Sequence, residues 1–330
     1  MVSRTKRRKH PGEESTRIPP VDSVGTPSPG SAPAGPLVSI VVPSYNSQAT
    51  LRRSLETMTA QSYQPLEIIV VDSSPTDACA QIIRTWFPQV IFYASPGRLY
   101  PHAARNAGID LARGELILST DPDIYAPDDW VARMVAAYFT HYGVIVGSYE
   151  CFGADRVDHA VHFSKFDKWL PGGATRAIDI APTANVLYPR AFLQAIGGFD
   201  GTGMVGDTLM SWEYTRLGIP LIFIPDAVVE HHHLSSIRAL LRERRVRGRE
   251  FAQVRRTYFA WSRRRTLVVL LLTLVPLRLL KLTGRTLWHG RRACQFAAAW
   301  RALPVIFLAH GAWLWGEAQG YWRALRAGGH

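Results

Sequence analysis

Short apolar runs at 38–43, 66–71, 90–93, 116–119 and 144–147 alternate with stretches whose apolar residues recur at helical spacing. Unbroken hydrophobic runs this short suit strands buried on both faces, and the intervening helices supply the cover. Strands joined by helices of about ten residues imply right-handed crossovers and a mainly parallel sheet. The spacing predicts helices near 51–58, with Leu51, Leu55 and Met58 on one face and Ser47 as a cap, and at 77–86, 102–113 and 128–141. In such α/β sheets ligands bind beyond the carboxyl ends of strands, where Tyr45, Asn46, Asp72, Asp121 and Asp123 fall. Between 150 and 230 the pattern loosens around a Gly-rich turn at 171–173, with a helix expected at 207–217 and a strand at 221–224.

The first 36 residues are basic and proline-rich with almost no large apolar side chain, so they are expected to be disordered. Residues 37–233 read as the catalytic domain, and 234–330 as a basic, apolar helical region. With 47% hydrophobic residues over 330 positions, the chain as a whole is not a disordered protein. Its net charge of +12 is concentrated in arginines after residue 235, which directs that end toward an anionic partner. Cys79, Cys151 and Cys294 are too far apart for a zinc pattern or a disulfide framework and read as buried small hydrophobes in a reducing compartment. No apolar stretch follows the N-terminal basic residues, so a secretory signal is not expected and the cytoplasmic side is.

Asp121-Pro122-Asp123 arrives just after the apolar run Leu116-Ile117-Leu118. Two carboxylates one residue apart in a half-buried turn raise each other's pKa or recruit a cation. A hard divalent ion held by few protein oxygens completes its shell with water or phosphate, which points to a diphosphate. A plain turn or helix cap is the competing reading of the same residues.

Taken in order, Val38-Ser39-Ile40-Val41-Val42-Pro43-Ser44-Tyr45-Asn46, Val70-Val71-Asp72, Ala104-Arg105-Asn106-Ala107-Gly108, Asp121-Pro122-Asp123, Gly197-Gly198-Phe199-Asp200, Gly206-Asp207 and Pro225 to His231 resemble the family 2 glycosyltransferases of the GT-A fold. The resemblance runs from about 38 to 233 and implies a Rossmann-like, mainly parallel sheet with flanking helices. It also implies an inverting transferase taking a sugar from a nucleotide-diphosphate donor. Carried over residue by residue, Pro43, Tyr45, Asn46 and Asp72 would hold the nucleotide. Arg105 would meet a phosphate or brace the Asp cluster. Asp121 would reach the donor sugar or ribose, and Asp123 would hold Mn2+ or Mg2+, with His231 as a further ligand. Asp207 would be the general base, unless it only caps its helix. The acceptor side would include Asn185 and Trp212. Two departures stand out: Gly206 replaces the Glu that commonly precedes the base, and Arg242-Glu243-Arg244-Arg245-Val246 replaces the Gln-x-x-Arg-Trp of processive synthases. Transfer of one or a few sugars is therefore expected.

After residue 235 arginines surround Ile237, Leu240, Leu241, Phe251 and Val254 on a helix that Ser235 or Ser236 can cap. Two apolar stretches follow at 267–277 and 296–315. The first covers only about 16 Å as a helix against about 30 Å of hydrocarbon, so an interfacial or re-entrant pair on an anionic membrane surface is expected. A soluble helical cap is the alternative. The acceptor would then be a glycan or a polyprenyl-linked group. A sugar nucleotidylyltransferase would need a Gly-rich, Arg-bearing loop where this chain has Ser44-Tyr45-Asn46-Ser47, and no nucleic-acid motif supports a polybasic RNA- or DNA-binding module.

Overall fold

The computed structural model describes residues 35–233 and 236–327. The tail expected to be disordered therefore lies outside the described residues except for 35 and 36, as does Ser235. In chain order the first half comprises β1 (Val38–Ser44), α1 (Leu51–Thr59), β2 (Leu66–Asp72), α2 (Ala78–Trp86), β3 (Ile91–Ala94), α3 (Pro101–Leu111), β4 (Leu116–Thr120), β5 (Ile124–Tyr125) and α4 (Trp130–His141). There follow β6 (Val144–Cys151), α5 (Arg156–Phe166), β7 (Arg176–Ala177), β8 (Asn185–Pro189), α6 (Arg190–Ile196), α7 (Gly206–Arg216) and β9 (Leu221–His231). Each apolar run forms its expected strand; β1 and β4 are covered on both faces, with every residue buried, whereas β3 at the end of the sheet is half-buried to exposed. Helix α1 buries Leu51, Leu55 and Met58 as the periodicity requires. Its cap is Thr50, however, and Ser47 contributes a carbonyl to Thr50 and Leu51 instead of a capping hydroxyl.

The strands form one sheet in the order β3-β2-β1-β4-β8-β6-β9-β5, with β7 also on β9. Pairs β1–β2, β2–β3, β1–β4 and β6–β9 are parallel, and β8 runs antiparallel between β4 and β6. Strand β9 continues well past the expected 221–224. Its pairing with β6 shifts register between Val146 and Ser148, which lets the strand pass Pro225, a residue with no N–H for the ladder. The Ser148 hydroxyl donates to the Pro225 carbonyl at 2.8 Å. Because β9 is this long, its end meets β5, with Ile124 opposite His231.

Helices α8 (Ile237–Tyr258), α9 (Arg263–Leu274), α10 (Pro276–Arg292) and α11 (Phe296–Ala327) complete the chain. Ser236 caps α8 by accepting from Ala239 N–H. Helices α8 and α11 pack backbone to backbone: a Cβ at Gly248 would strike Trp313, and one at Gly316 would strike Arg245. Ion pairs Lys165–Glu243 (2.7 Å) and Arg285–Asp167 (2.9 Å) tie these helices to the end of α5 and the residue that follows it. Helix α11 is long and apolar enough to cross a membrane, and α9 with α10 passes the same test as a pair bent by 66° at Pro276. Leu271, Leu272, Leu277 and Trp300 of this region are exposed.

Candidate active site

Strand β4 is wholly buried and delivers its chain to a turn at its carboxyl end, which leaves Asp121 and Asp123 half-buried there. The turn is closed by Ile124 N–H to the Asp121 carbonyl, and His232 N–H donates to the Asp123 carbonyl at 2.9 Å. Backbone pairing thus fixes His231 beside the Asp pair. One ligand atom from each of Asp121, Asp123 and His231 lies within 4.8 Å of the others, and His231 Nε2 is 3.8 Å from Asp123 Oδ1. Asp123 Oδ1 and His231 Nδ1 are buried without a hydrogen-bond partner among the described residues. Burial pushes the Asp123 carboxyl up and Asp121 adds to this, while His231 and Lys165 oppose it. Two carboxylates and an imidazole with unmet polar atoms form a donor set that fits Mn2+ or Mg2+.

Arg105 on α3 is 2% exposed. Its guanidinium pairs with Asp121, and its Nε donates to Ser119 Oγ at 2.8 Å. Of the two roles expected for Arg105, the enclosed geometry matches the brace and leaves no open face for a phosphate. The neighbouring Asn106 amide donates to the Phe199 carbonyl (2.8 Å) and accepts from its N–H (2.9 Å), pinning the Gly197-Gly198-Phe199-Asp200 loop.

At the ends of β1 and β2 the expected nucleotide residues do come together. Pro43 is buried in β1, opposite Val71. Tyr45 follows with its ring 38% exposed, and the Arg98 guanidinium stacks 4.4 Å from the ring centroid. Asn46 adopts φ 54°, a left-handed conformation that Asn tolerates, and its N–H donates to Ser74 Oγ at 2.7 Å. Asp72 accepts from the same hydroxyl at 2.8 Å, so Ser74 ties the two loops into one rim. Nothing in the local sequence of Arg98 marked it for this rim.

Asp207 lies in the first turn of α7, and its Oδ1 accepts from Thr208 N–H at 2.7 Å. Burial pushes its carboxyl up, while Arg247 of α8 and Arg105 act to lower it. Arg247 read from sequence as part of a basic stripe; it is instead a charge that acts on Asp207. The unusual Gly206 has a steric reason: a Cβ there would lie 2.6 Å from the Asp200 carbonyl and 2.8 Å from the His102 ring. The two residues expected on the acceptor side both take part in packing, Asn185 enclosed and Trp212 half-buried. Asn185 is fully buried, accepting from Trp130 Nε1 (2.8 Å) and donating to the Ser148 and Ala227 carbonyls (3.0 Å each). Trp212 packs its ring against Phe251, Tyr258 and Phe259, so it docks α8 onto α7. The cysteines differ from expectation, with only Cys79 buried, Cys151 half-buried and Cys294 exposed.

Residues 39–194 match the sequence profile of glycosyl transferase family 2. The chain carries a family 2 glycosyltransferase domain. The chain is 27% identical over 248 residues to a validoxylamine A glucosyltransferase of Streptomyces hygroscopicus subsp. limoneus, covering 62% of this chain and 53% of that one. It is 32% identical over 119 residues to an undecaprenyl-phosphate 4-deoxy-4-formamido-L-arabinose transferase of Aeromonas hydrophila subsp. hydrophila, covering 33% and 36%. The chain spans about half the length of the first of these relatives. Among solved structures, the mannosyltransferase PcManGT from Pyrobaculum calidifontis, in complex with GDP-Man and Mn2+, shares the fold with a TM-score of 0.52 at 23% identity, over 88% of this chain and 86% of that one. The central sheet and its crossovers are accordingly the GT-A fold.

Proposed function

We propose that the protein is a metal-dependent, inverting glycosyltransferase that moves a sugar from a nucleotide-diphosphate donor to a glycan or polyprenyl-linked acceptor at the cytoplasmic face of a membrane. The observation that carries this reading is the convergence of Asp121, Asp123 and His231, with buried unpartnered atoms, at the carboxyl end of β4 beside the Tyr45–Asp72 rim. The base stacks at Tyr45, and Asp72 accepts from its imide or the ribose. Asp123 and His231 would hold the ion, and the Arg105 pairing would keep Asp121 directed at the donor sugar. A divalent ion bound there would supply positive charge against the departing diphosphate. Asp207 takes the proton from the acceptor hydroxyl as its oxygen bonds to the anomeric carbon. The nucleoside diphosphate leaves from the opposite face with the bonding electron pair, so the configuration inverts.

Membrane association is supported by the exposed Leu271, Leu272 and Leu277 beside an arginine-rich helix. An apolar groove of about 670 Å³ between α10 and α11, lined by Leu280, Leu287, Leu303, Phe307 and Leu308, suits an isoprenoid tail. The Aeromonas relative, named for an undecaprenyl-phosphate substrate, supports the same acceptor class. The test is a thermal-shift series with nucleoside diphosphates, with and without Mn2+, on the wild type and Asp123→Asn. Metal-dependent stabilisation by a nucleotide in the wild type alone is expected. Equal stabilisation of both proteins would remove Asp123 and the ion from donor binding.

A further inference from the structure

Beside the Asp121–Asp123–His231 site stands a second group of ligating side chains that the transfer reaction does not use. Cys151 ends β6, His162 projects from α5 and His233 follows β9; each offers one ligand atom within 4.8 Å of the others. These residues are 11 and 71 positions apart in the chain, so no spacing motif announces them. His162 is fully buried and His233 is 5% exposed, while Cys151 is half-buried. Phe163 and Phe166 wall the imidazoles from the side.

The two imidazoles face each other, His162 Nδ1 to His233 Nε2, at 3.4 Å. As a hydrogen bond this is long, and whichever ring donates, His162 Nε2 stays buried with no partner among the described residues. As a ligand pair the spacing fits well: tetrahedral zinc with Zn–N bonds of about 2.0–2.1 Å sets its two nitrogens about 3.3 Å apart. A thiol with two imidazoles is the softer kind of donor set, whereas the carboxylates beside it are hard. His231 and His233 divide the two sets between them, with rings stacked at a centroid distance of 4.2 Å.

We propose that Cys151, His162 and His233 form a site for a zinc-class divalent ion, with water in the fourth position, separate from the ion of the donor site. Bound there, the ion links α5 to the ends of β6 and β9 and so fixes the strand that presents His231. It donates no group and enters no bond-making step. This assignment does not depend on the donor reading.

The test uses the full chain without a polyhistidine tag, titrated with Co2+ as a spectroscopic substitute for zinc. A thiolate-to-cobalt charge-transfer band is expected in the wild type and in Asp123→Asn, which weakens only the hard site. The band should vanish in Cys151→Ser, persist in Cys294→Ser, and be displaced by Zn2+. Zn2+ should also raise the Tm of Asp123→Asn but not of the double variant Asp123→Asn with Cys151→Ser. Absence of the band in the wild type at saturating Co2+, or its persistence in Cys151→Ser, overturns the proposal. The first of these is read on the unaltered protein, so a variant that fails to fold does not shelter the idea.

Discussion

Asn185→Ala separates a structural role for this residue from contact with an acceptor. The amide spans three elements: Trp130 of α4, Ser148 of β6 and Ala227 of β9, at the place where the β6–β9 register shifts. Alanine removes three hydrogen bonds, each with a net worth of about 1 kcal/mol, and leaves the Trp130 N–H buried with nothing to accept it, at about 1–3 kcal/mol. Because these losses overlap, the expected destabilisation is about 3–5 kcal/mol, enough to lower Tm by roughly 10 °C in a domain of this size. The measurement is thermal unfolding by tryptophan fluorescence, paired with acceptor KM at a temperature where both proteins are folded. A Tm close to wild type together with a raised acceptor KM would refute the reasoning and return Asn185 to the acceptor side.

Three further outcomes are expected. Arg247→Met removes a charge that lowers the Asp207 pKa, so the carboxyl rises further; since the base acts deprotonated, the acid limb of the kcat/KM profile should move to higher pH. Gly206→Ala drives a Cβ to 2.6 Å from the Asp200 carbonyl, and unfolding and turnover assays should show about 1–3 kcal/mol of overpacking together with slower transfer, as Asp207 is displaced. Leu271→Glu with Leu277→Glu places charge on the exposed apolar face and should reduce co-sedimentation with anionic vesicles while leaving Tm unchanged.

Strands β1, β2 and β4 were legible because they are buried almost throughout on both faces, and a run such as Ile117-Leu118 has no other economical fate. Strand β8 was not foreseen: its apolar stretch is only Val186-Leu187-Tyr188, and its antiparallel place between β4 and β6 is set by tertiary pairing. The long β9 was hidden by Pro225-Asp226, a pair that signals a turn until a register shift in the neighbouring strand accommodates it. Helix α5 was missed for a related reason, since buried residues such as Ala160, His162 and Phe163 occupy more than one side and leave no amphipathic stripe. At the site, Asp121, Asp123 and His231 were readable as motifs. The brace from Arg105, the rim contact of Arg98 and the influence of Arg247 on Asp207 depend on side chains brought together from distant segments. Asn185 shows the opposite case, a polar residue whose amide is fully engaged in packing.

The pairing of Ile124 with His231 has a consequence for any attempt to shorten this protein. A piece ending at residue 194 would contain everything the family profile matches, yet it would lack Asp207, His231 and the strand edge that aligns Asp123 with its histidine. Such a truncate would keep the family's signature and lose the seat proposed for the cation, so on that proposal nucleotide capture becomes a readout of whether the last strand has docked.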